Sequence, residues 1–269
     1  MNFIEKFKNL INFKREKISF KDINISGSSH LGLSRKNNED SYFFLRPNDK
    51  SLNFLVGVCD GVGGCEHGED ASSYCSWEII KAWRQFKICQ EGDINTVKKI
   101  VSDLIKQINN WTHSINLNSK CDVFGTTLVM GIFFEKCLLL INIGDSRCYQ
   151  IKKSGKIKQL SKDHSVINDM LKKNIITQDE AIGHPLSHVV SRAIGGDKNC
   201  KIDFNIINYK KGDRFLFCSD GLSNYVNKDL LGKYISNKNE KIDFICQKVI
   251  KEAINNNGHD NITAVIVNT

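Results

Sequence analysis

The order of the predicted elements favours an α+β protein in which antiparallel β-sheets are covered by helices. Strand and helix patterns come in blocks: three strand patterns precede two long helical patterns, and four consecutive strand patterns follow. Alternating parallel β-α-β units are therefore not expected. A Ser154-Gly155 turn between two of these strands predicts a hairpin. With 269 residues and 41% hydrophobic content, the chain is long enough to bury a sizeable core.

The first half of the chain contains three strands and then two helices. The strands are predicted at residues 23–30, 41–46 and 53–60. One helix is predicted from His67 to Phe86, and the next begins near Asp93, a residue typical of a helix N-cap. The apolar stripe of this second helix, which includes Trp111, is interpreted as core rather than as a cofactor surface.

The second half continues with strands predicted at residues 124–134, 137–143, 148–152 and 156–160. Residues 163–196 break this regular pattern into short helical pieces, and an insertion of this length is typical of a functional flap. The remaining elements are predicted strands at 203–209, 214–219 and 261–267, and helices at 228–235 and 241–255.

Residues 1–20 are predicted to form a basic amphipathic arm ahead of a single domain at residues 21–269. Ile4, Phe7 and Leu10 recur at helical spacing among lysines. Three interpretations stay open: the arm packs against the domain, docks to a partner, or lies on a membrane surface.

Composition excludes several classes of function. The net charge is +8, but the lysines are spread along the chain without an aromatic platform, so no nucleic-acid partner is predicted. The ten cysteines include no C-x-x-C pair, and no signal-peptide pattern precedes them, which favours a reducing, cytoplasmic location. No stretch approaches the ~18–20 apolar residues that a transmembrane helix needs.

Four acidic residues stand at the ends of predicted strands. Asp60 and Asp220 are followed directly by glycine, Asp145 follows one, and Asp260 opens the last strand. Gly61 lacks a side chain, so its backbone carbonyl can approach whatever Asp60 binds. Carboxylates gathered in one site repel each other by several kcal/mol unless cations lie between them. Such hard oxygen ligands favour Mg²⁺ or Mn²⁺.

Two such ions, bridged by one carboxylate, would lie ~3.5–4 Å apart and could hold a hydroxide as the nucleophile of phosphate-ester hydrolysis. Arg35 is the candidate phosphate-binding residue, because a guanidinium binds phosphate oxygens in bidentate fashion. Glu39 and Asp40 are predicted to hold metal-bound waters, and Asn261 is assigned to the same supporting set.

Eight motifs occur in order along the chain. They are Arg35-x-x-Asn-Glu-Asp-Ser41, Asp60-Gly-Val-Gly-Gly-x-x-x-Gly68-Glu-x-Ala-Ser72, Gly125-Thr-Thr127, Gly144-Asp-Ser-Arg147, Asp163-His-Ser165, Ser191-Arg-Ala-Ile-Gly195, Cys218-Ser-Asp-Gly-Leu222 and Asp260-Asn-Ile-Thr263. This ordered series resembles the type 2C, or PPM, metal-dependent protein serine/threonine phosphatases. The resemblance covers nearly everything after residue 25 and is closest in pattern to the bacterial-type members.

The resemblance implies a four-layer αββα sandwich, with two mainly antiparallel sheets flanked by helices. It also implies that Asp60 bridges two catalytic metals, that the Gly61 carbonyl binds one of them, and that Asp220 and Asp260 complete the other. Asp145, together with Asp220, matches the position of a third, weaker metal.

Two further matches concern the chemistry of the substrate. Arg35 matches the family's phosphate-binding arginine. Many eukaryotic members carry a histidine general acid where this chain has Val62, so the leaving group must be protonated from elsewhere, for example by a metal-bound water. Bacterial-type members are similar to this chain at that position, and the Asp163-His164-Ser165 opening of the flap also looks bacterial.

The predicted function is therefore metal-dependent hydrolysis of phosphoserine and phosphothreonine in cytosolic proteins, opposing a bacterial Ser/Thr kinase. An alternative of a different class is a catalytically silent binding or scaffold module, which would be expected to lack one or more of the ligand carboxylates. A third possibility is that the substrate is a small phosphorylated molecule rather than a protein.

Overall fold

The computed structural model describes residues 18–19, 23–45, 53–63, 68–85, 92–118 and 124–269. Apart from a two-residue strand, the predicted N-terminal arm lies outside these described residues. Its role, and the division of the chain into an arm and a domain, therefore stay predictions. His67 and Phe86, the predicted ends of the first helix, also lie outside the described ranges.

Two antiparallel β-sheets form the centre of the molecule. Sheet A contains β1 (Ile18–Ser19), β2 (Asn24–His30), β8 (Arg147–Ile151), β9 (Ile157–Gln159), β11 (Arg214–Cys218) and β12 (Ile262–Asn268), in the spatial order β1-β2-β12-β11-β8-β9. Sheet B contains β3 (Asp40–Leu45), β4 (Phe54–Val62), β6 (Leu128–Phe133), β7 (Cys137–Ile143) and β10 (Asp203–Asn208), in the order β10-β7-β6-β4-β3, while β5 (Gly125–Thr126) pairs with the end of β4.

Helices cover the outer face of each sheet. Sheet B is covered by α1 (Gly68–Gln85) and α2 (Ile94–Asn118), whereas α3 (Val166–Lys172) and α4 (Gln178–Ala181) are short helices within residues 163–196. Sheet A is covered by α5 (Asp220–Ser223), α6 (Lys228–Ser236) and α7 (Ile242–Asn255). Side chains of α1 and α2 form one apolar core with sheet B, and those of α6 and α7 form another with sheet A. Since a third core lies between the two sheets, the predicted four-layer αββα architecture is confirmed.

The alternation of side chains along each strand builds these layers. In β11, Phe215 and Phe217 point into the core between the sheets, whereas Leu216 and Cys218 point toward α6 and α7. Phe133 of sheet B contacts Phe215 of sheet A edge-on, with ring centroids 5.1 Å apart. Aromatic side chains thus fill the middle of the sandwich and hold the two sheets in a fixed relation.

The structure corrects three local predictions. The strand predicted at 124–134 is divided at Thr127, whose backbone and side chain bind Asp60 rather than continuing a ladder. Asp60 lies two residues inside β4 rather than at its tip, because Gly61 and Val62 pair with β5. Trp111 is not core: it is 37% exposed and rests on the ring of Tyr74, with centroids 3.8 Å apart.

None of the helices in the described ranges is both long and apolar enough to span a bilayer. The seven cysteines within those ranges are free thiols.

Candidate active site

Strand register brings the predicted acidic residues to one end of the sandwich. In sheet A, Cys218 at the end of β11 is paired with Arg147 and with Ala264. Asp220 follows β11, Asp145 precedes β8 and Asp260 precedes β12, so these three carboxylates leave the sheet at the same end. In sheet B, Asp40 is the register partner of Asp60. Acids that are 220 positions apart in sequence, such as Asp40 and Asp260, therefore become neighbours.

Asp60 is held in place through its backbone by two adjacent threonines. The Asp60 amide donates to Thr127 Oγ1 at 3.0 Å, and the Asp60 carbonyl accepts from the Thr127 amide at 2.8 Å and from Thr126 Oγ1 at 3.0 Å. Both threonines are fully buried. Since the backbone of Asp60 is fixed on both sides, its carboxylate projects from a rigid base.

Ser219 joins the two sheets at the site. Its hydroxyl donates to Asp40 Oδ2 at 2.7 Å and accepts from the Thr263 amide at 3.0 Å. The other oxygen, Asp40 Oδ1, is buried and has no hydrogen-bond partner among the described residues. A buried carboxylate oxygen left in this way needs a proton, a water or a cation.

Arg35 and Asn261 tie the loop before β3 to the start of β12. Arg35 Nε lies 2.8 Å from Asp260 Oδ1, and Arg35 Nη2 donates to Asp260 Oδ2 at 3.0 Å. The Asn261 side chain accepts from the Glu39 amide and donates to the carbonyls of Leu31 and Asn37. Asn261 is 3% exposed, so its contribution is to hold the backbone around Glu39 and Asp260 rather than to meet substrate.

Mutual repulsion and burial perturb the acids of this cluster. Burial, followed by the charges of Asp40 and Asp220, raises the pKa of Asp60 well above its ordinary value. Burial also raises the pKa of Asp40 to about 7, with Asp220 and Asp260 adding to the effect. For Asp145, burial and the charge of Asp220 raise the pKa to about 7. Burial is the largest cause of each shift, and the charges of the neighbouring carboxylates add to it.

The donor chemistry fits divalent cations. Within the described ranges, no three His, Cys, Asp or Glu side chains are gathered closely enough to form a ready-made metal site. Both carboxylate oxygens of Asp260 contact Arg35 instead. The available donors are nevertheless carboxylate oxygens at one end of the sheets, the ligand type that Mg²⁺ and Mn²⁺ prefer. One of these oxygens, Asp40 Oδ1, lacks a hydrogen-bond partner among the described residues.

Gly61 lies where a side chain cannot fit. A Cβ at this position would be 2.4 Å from the Gly68 carbonyl oxygen and 2.9 Å from that of Glu39. The Gly61 amide donates to the same Glu39 carbonyl at 3.0 Å. The glycine predicted from sequence therefore allows β4, the loop before β3 and the start of α1 to meet beside Asp60.

The base of the flap is anchored to the loop that carries Asp145. Buried His164 accepts from the Gly144 amide at Nδ1, 3.1 Å away, and its Nε2 lies 3.2 Å from Asp203 Oδ2. The acceptor role of Nδ1 places the ring proton on Nε2. Burial lowers the pKa of His164, and its bond to the Gly144 amide fixes the flap relative to Asp145.

Three contributors to the site were not assigned a role from sequence. Thr127 and Ser219 lie inside quoted motifs, yet their bonds to Asp60 and Asp40 depend on strand pairing that no local pattern reveals. His188, in the flap, has no local signal at all. Burial and Asp260 raise the pKa of Asp220, and a positive charge on His188 would oppose that rise.

Comparisons with known proteins agree with this arrangement. The family described as "Protein phosphatase 2C" matches residues 25–262. The serine/threonine phosphatase stp of Listeria innocua is 30% identical over 242 residues, covering 88% of this chain and 92% of that protein.

Solved structures give the same result for the fold. The serine/threonine phosphatase of S. agalactiae superposes with a TM-score of 0.85 at 23% identity and covers 92% of this chain and 99% of that one. The catalytic domain of the serine/threonine protein phosphatase PstP, solved in complex with two manganese ions, has a TM-score of 0.73 at 25% identity, with 91% and 97% covered.

Proposed function

Since the chain belongs to the protein phosphatase 2C family, we propose that it removes phosphate from phosphoserine and phosphothreonine side chains of proteins, with two Mg²⁺ or Mn²⁺ ions as cofactors. The observation that carries this proposal is the convergence of Asp60, Asp145, Asp220 and Asp260 at one end of the sandwich, beside Arg35. The catalytically silent alternative predicts the loss of a ligand carboxylate, and all four are present.

The proposed ligands are oxygen donors from both sheets. Asp60 would hold both ions, with the Gly61 carbonyl beside it, while Asp220 and Asp260 would bind from the sheet A side. When bound, the ions supply an activated water nucleophile and neutralise charge that develops on the phosphoryl group. A third ion between Asp145 and Asp220 is part of the proposal, supported by the raised pKa of the Asp145 carboxyl.

The chain's own residues bind and orient the substrate. Arg35 is half exposed, with a side-chain exposure of 49%, so its guanidinium can turn from Asp260 to the phosphoryl oxygens of a substrate. Thr127 and Ser219 hold Asp60 and Asp40 at fixed positions. Glu39, on the same loop as Arg35, lies where it can order water at the mouth of the site, and burial raises the pKa of Glu39.

A protein substrate is favoured over a small phosphate ester by the open end of the sandwich. The flap beside the site exposes apolar side chains, including Ile182 at 82% and Leu186 at 41%, to which a polypeptide can add contacts. The enzyme would then oppose a bacterial Ser/Thr kinase in the same compartment. A cytoplasmic location and a docking role for residues 1–20 remain predictions from sequence.

Phosphate release from peptides tests the proposal. We expect turnover of phosphothreonine and phosphoserine peptides with Mn²⁺ or Mg²⁺, none with EDTA, and at most weak turnover of a phosphotyrosine peptide. The variant Asp220→Asn should stay folded by circular dichroism and lose activity with either metal. Turnover in EDTA, or a marked preference for a hexose phosphate over both peptides, would contradict the proposed function.

A further inference from the structure

The end of sheet A opposite the carboxylates carries a basic cleft, which we call the Arg214 cleft. It consists of two adjoining cavities, of ≈ 490 Å³ and ≈ 530 Å³, that share Arg214, Lys238 and Asn268. Arg214 opens β11, whereas Asp220 follows the other end of that strand. At ~3.3 Å per residue the two lie roughly 20 Å apart, so the cleft is separate from the candidate active site.

Arg214 is a buried cation with no acidic partner among the described residues. It is 8% exposed. Its Nε donates to Asn268 Oδ1 at 3.1 Å, and its Nη1 donates to the carbonyls of Ile235 and Asn237 at the end of α6. Nη2 has no acceptor in the described part of the chain, and Arg214 lines both cavities, so this nitrogen is the open side of the guanidinium.

Burial lowers the pKa of Arg214, because solvent is removed from the charge and no carboxylate in the described part of the chain compensates for it. The carbonyls at the C-terminal end of α6 accept hydrogen bonds from the Arg214 guanidinium, but they carry only fractional negative charge. A buried, incompletely compensated guanidinium with a free donor edge is suited to binding an anion in the cleft.

Lysines surround this guanidinium. The basic residues that line the two cavities are Lys152, Lys153, Lys211, Arg214, Lys238 and Lys241. Two acidic residues, Glu240 and Asp243, line the first cavity, and Glu240 is already paired with Lys248 at 3.2 Å. The excess of positive charge is therefore local, although the rest of the chain spreads its charge evenly.

Three of the lysines are exposed and lack an acidic partner among the described residues: Lys153, Lys238 and Lys241. Lys153 Nζ lies against Gly212, because a Cβ at that glycine would be 2.9 Å from it. Lys152, by contrast, is bound to Asp213 at 2.7 Å. Lys153 and Lys238 are therefore available to contact an anion that is bound to the Arg214 guanidinium.

From this geometry we infer that the Arg214 cleft binds a small phosphorylated anion through its phosphoryl group. The planar guanidinium matches the geometry of phosphate oxygens, and lysine ammonium groups supply additional point charges. The cavity volumes fall within the ~300–1,000 Å³ of small-molecule sites. Among the described residues that line the two cavities there is no aromatic side chain, which disfavours recognition of a nucleobase by stacking.

Calorimetric titration at low ionic strength tests this inference. The probes are inorganic phosphate, inorganic pyrophosphate and a hexose bisphosphate, added to the Arg35→Ala variant in EDTA so that the candidate active site does not contribute. We expect the probes to bind. Adding Lys153→Gln and Lys238→Gln to the Arg35→Ala variant should raise their Kd at least about tenfold, or by ~1.4 kcal/mol. The matched control, Lys99→Gln on α2, removes an exposed lysine over the other sheet and should change nothing.

The three probes also distinguish the source of the phosphoryl group. Tighter binding of the bisphosphate would assign the cleft to a phosphorylated metabolite, and equal or tighter binding of inorganic phosphate would assign it to free phosphate. The inference is overturned if no probe binds, if the double variant binds as before, or if Lys99→Gln weakens binding as much as the double variant. Because Arg214 supports the end of α6, its own substitution is avoided.

Discussion

Both carboxylate oxygens of Asp260 contact the guanidinium of Arg35, with Nε 2.8 Å from Oδ1 and Nη2 3.0 Å from Oδ2. The two residues are 225 positions apart in the sequence. Asp260 and the charges of Glu39 and Asp60 raise the pKa of Arg35, although burial opposes the rise. This ion pair keeps the Arg35 guanidinium at the edge of the carboxylate cluster, where it could bind the phosphoryl group of a substrate.

Replacing Arg35 with alanine should affect catalysis far more than stability. The pair is exposed to solvent, and such ion pairs contribute under ~1 kcal/mol to the free energy of unfolding. The loss of a cation aimed at the phosphoryl oxygens should lower kcat/KM by about 10²-fold. Steady-state kinetics on a phosphothreonine peptide and a urea unfolding curve measure both quantities. Arg35→Lys keeps the positive charge but loses the bidentate guanidinium, so it should recover only part of kcat/KM. An unchanged kcat/KM in Arg35→Ala would show that Arg35 does not bind the phosphoryl group.

The Thr127 side chain contributes one buried hydroxyl to the positioning of Asp60. Thr127→Val removes the acceptor for the Asp60 amide and the contact with Ser146 Oγ at 2.7 Å. We expect a cost of about 1–3 kcal/mol in unfolding free energy and metal affinity that is ~10–100-fold weaker. Activity titrated against Mn²⁺ gives the affinity. Thr127→Ser keeps the hydroxyl and should behave nearly as wild type, whereas equal effects of both substitutions would mean that packing, not the hydrogen bond, matters.

Gly61 should not tolerate alanine even though the change alters no carboxylate. The added Cβ would lie 2.4 Å from the Gly68 carbonyl oxygen, so β4 or the start of α1 must shift, at a cost of about 1–3 kcal/mol. Activity should fall with stability, because the Gly61 carbonyl moves with the strand. The matched control is Gly196→Ala, whose Cβ meets nothing closer than 3.5 Å. An active, stable Gly61→Ala enzyme would show that this close approach is not required.

Stability without metal should fall as the pH rises. Burial raises the pKa of Asp40 and of Asp145 to about 7, from ordinary carboxyl values near 4. The folded protein therefore binds more protons than the unfolded chain between about pH 4 and pH 7. This contribution to stability is fully present below the unfolded-state pKa and is lost as the pH rises through about 7.

Thermal unfolding in EDTA across pH 5 to about 8 measures this slope, with the melting temperature decreasing toward high pH. Asp40→Asn should flatten the decrease, and Mn²⁺ should raise the melting temperature most at the alkaline end, where the carboxyls are ionised. A melting temperature that is independent of pH, or that rises with it in EDTA, would contradict the proposed crowding of these carboxyls.

Local patterns were sufficient to predict most of the fold. The β7 strand at Cys137–Ile143 begins and ends where its apolar run predicts, and the 3.6-residue periodicity of α1 and α2 places their apolar faces against sheet B. Trp111 was misplaced because periodicity gives the direction of a helix face but not how far the sheet beneath it extends.

The site was less accessible to sequence reasoning where its parts depend on pairing between distant strands. Each aspartate is recognisable beside a glycine or a strand end, and the ordered motifs indicate that they belong together. The hydrogen bond from Ser219 to Asp40, however, arises because two sheets stack at that point. The sequence also does not reveal that Arg214 is buried without an acidic partner among the described residues. Burial and ion pairing are properties of the assembled fold.

Phosphate release from a phosphothreonine peptide by wild type and Asp60→Asn, each with saturating Mn²⁺, tests whether Asp60 holds the catalytic ions. The charges of Asp40 and Asp220 act on the Asp60 carboxylate, whose proposed role is to hold both ions. We expect Mn²⁺-dependent turnover by the wild type and a loss of about 10³-fold or more in Asp60→Asn, with circular dichroism unchanged. Comparable turnover by both proteins, or a folded wild type that is inactive with every divalent cation, would contradict it.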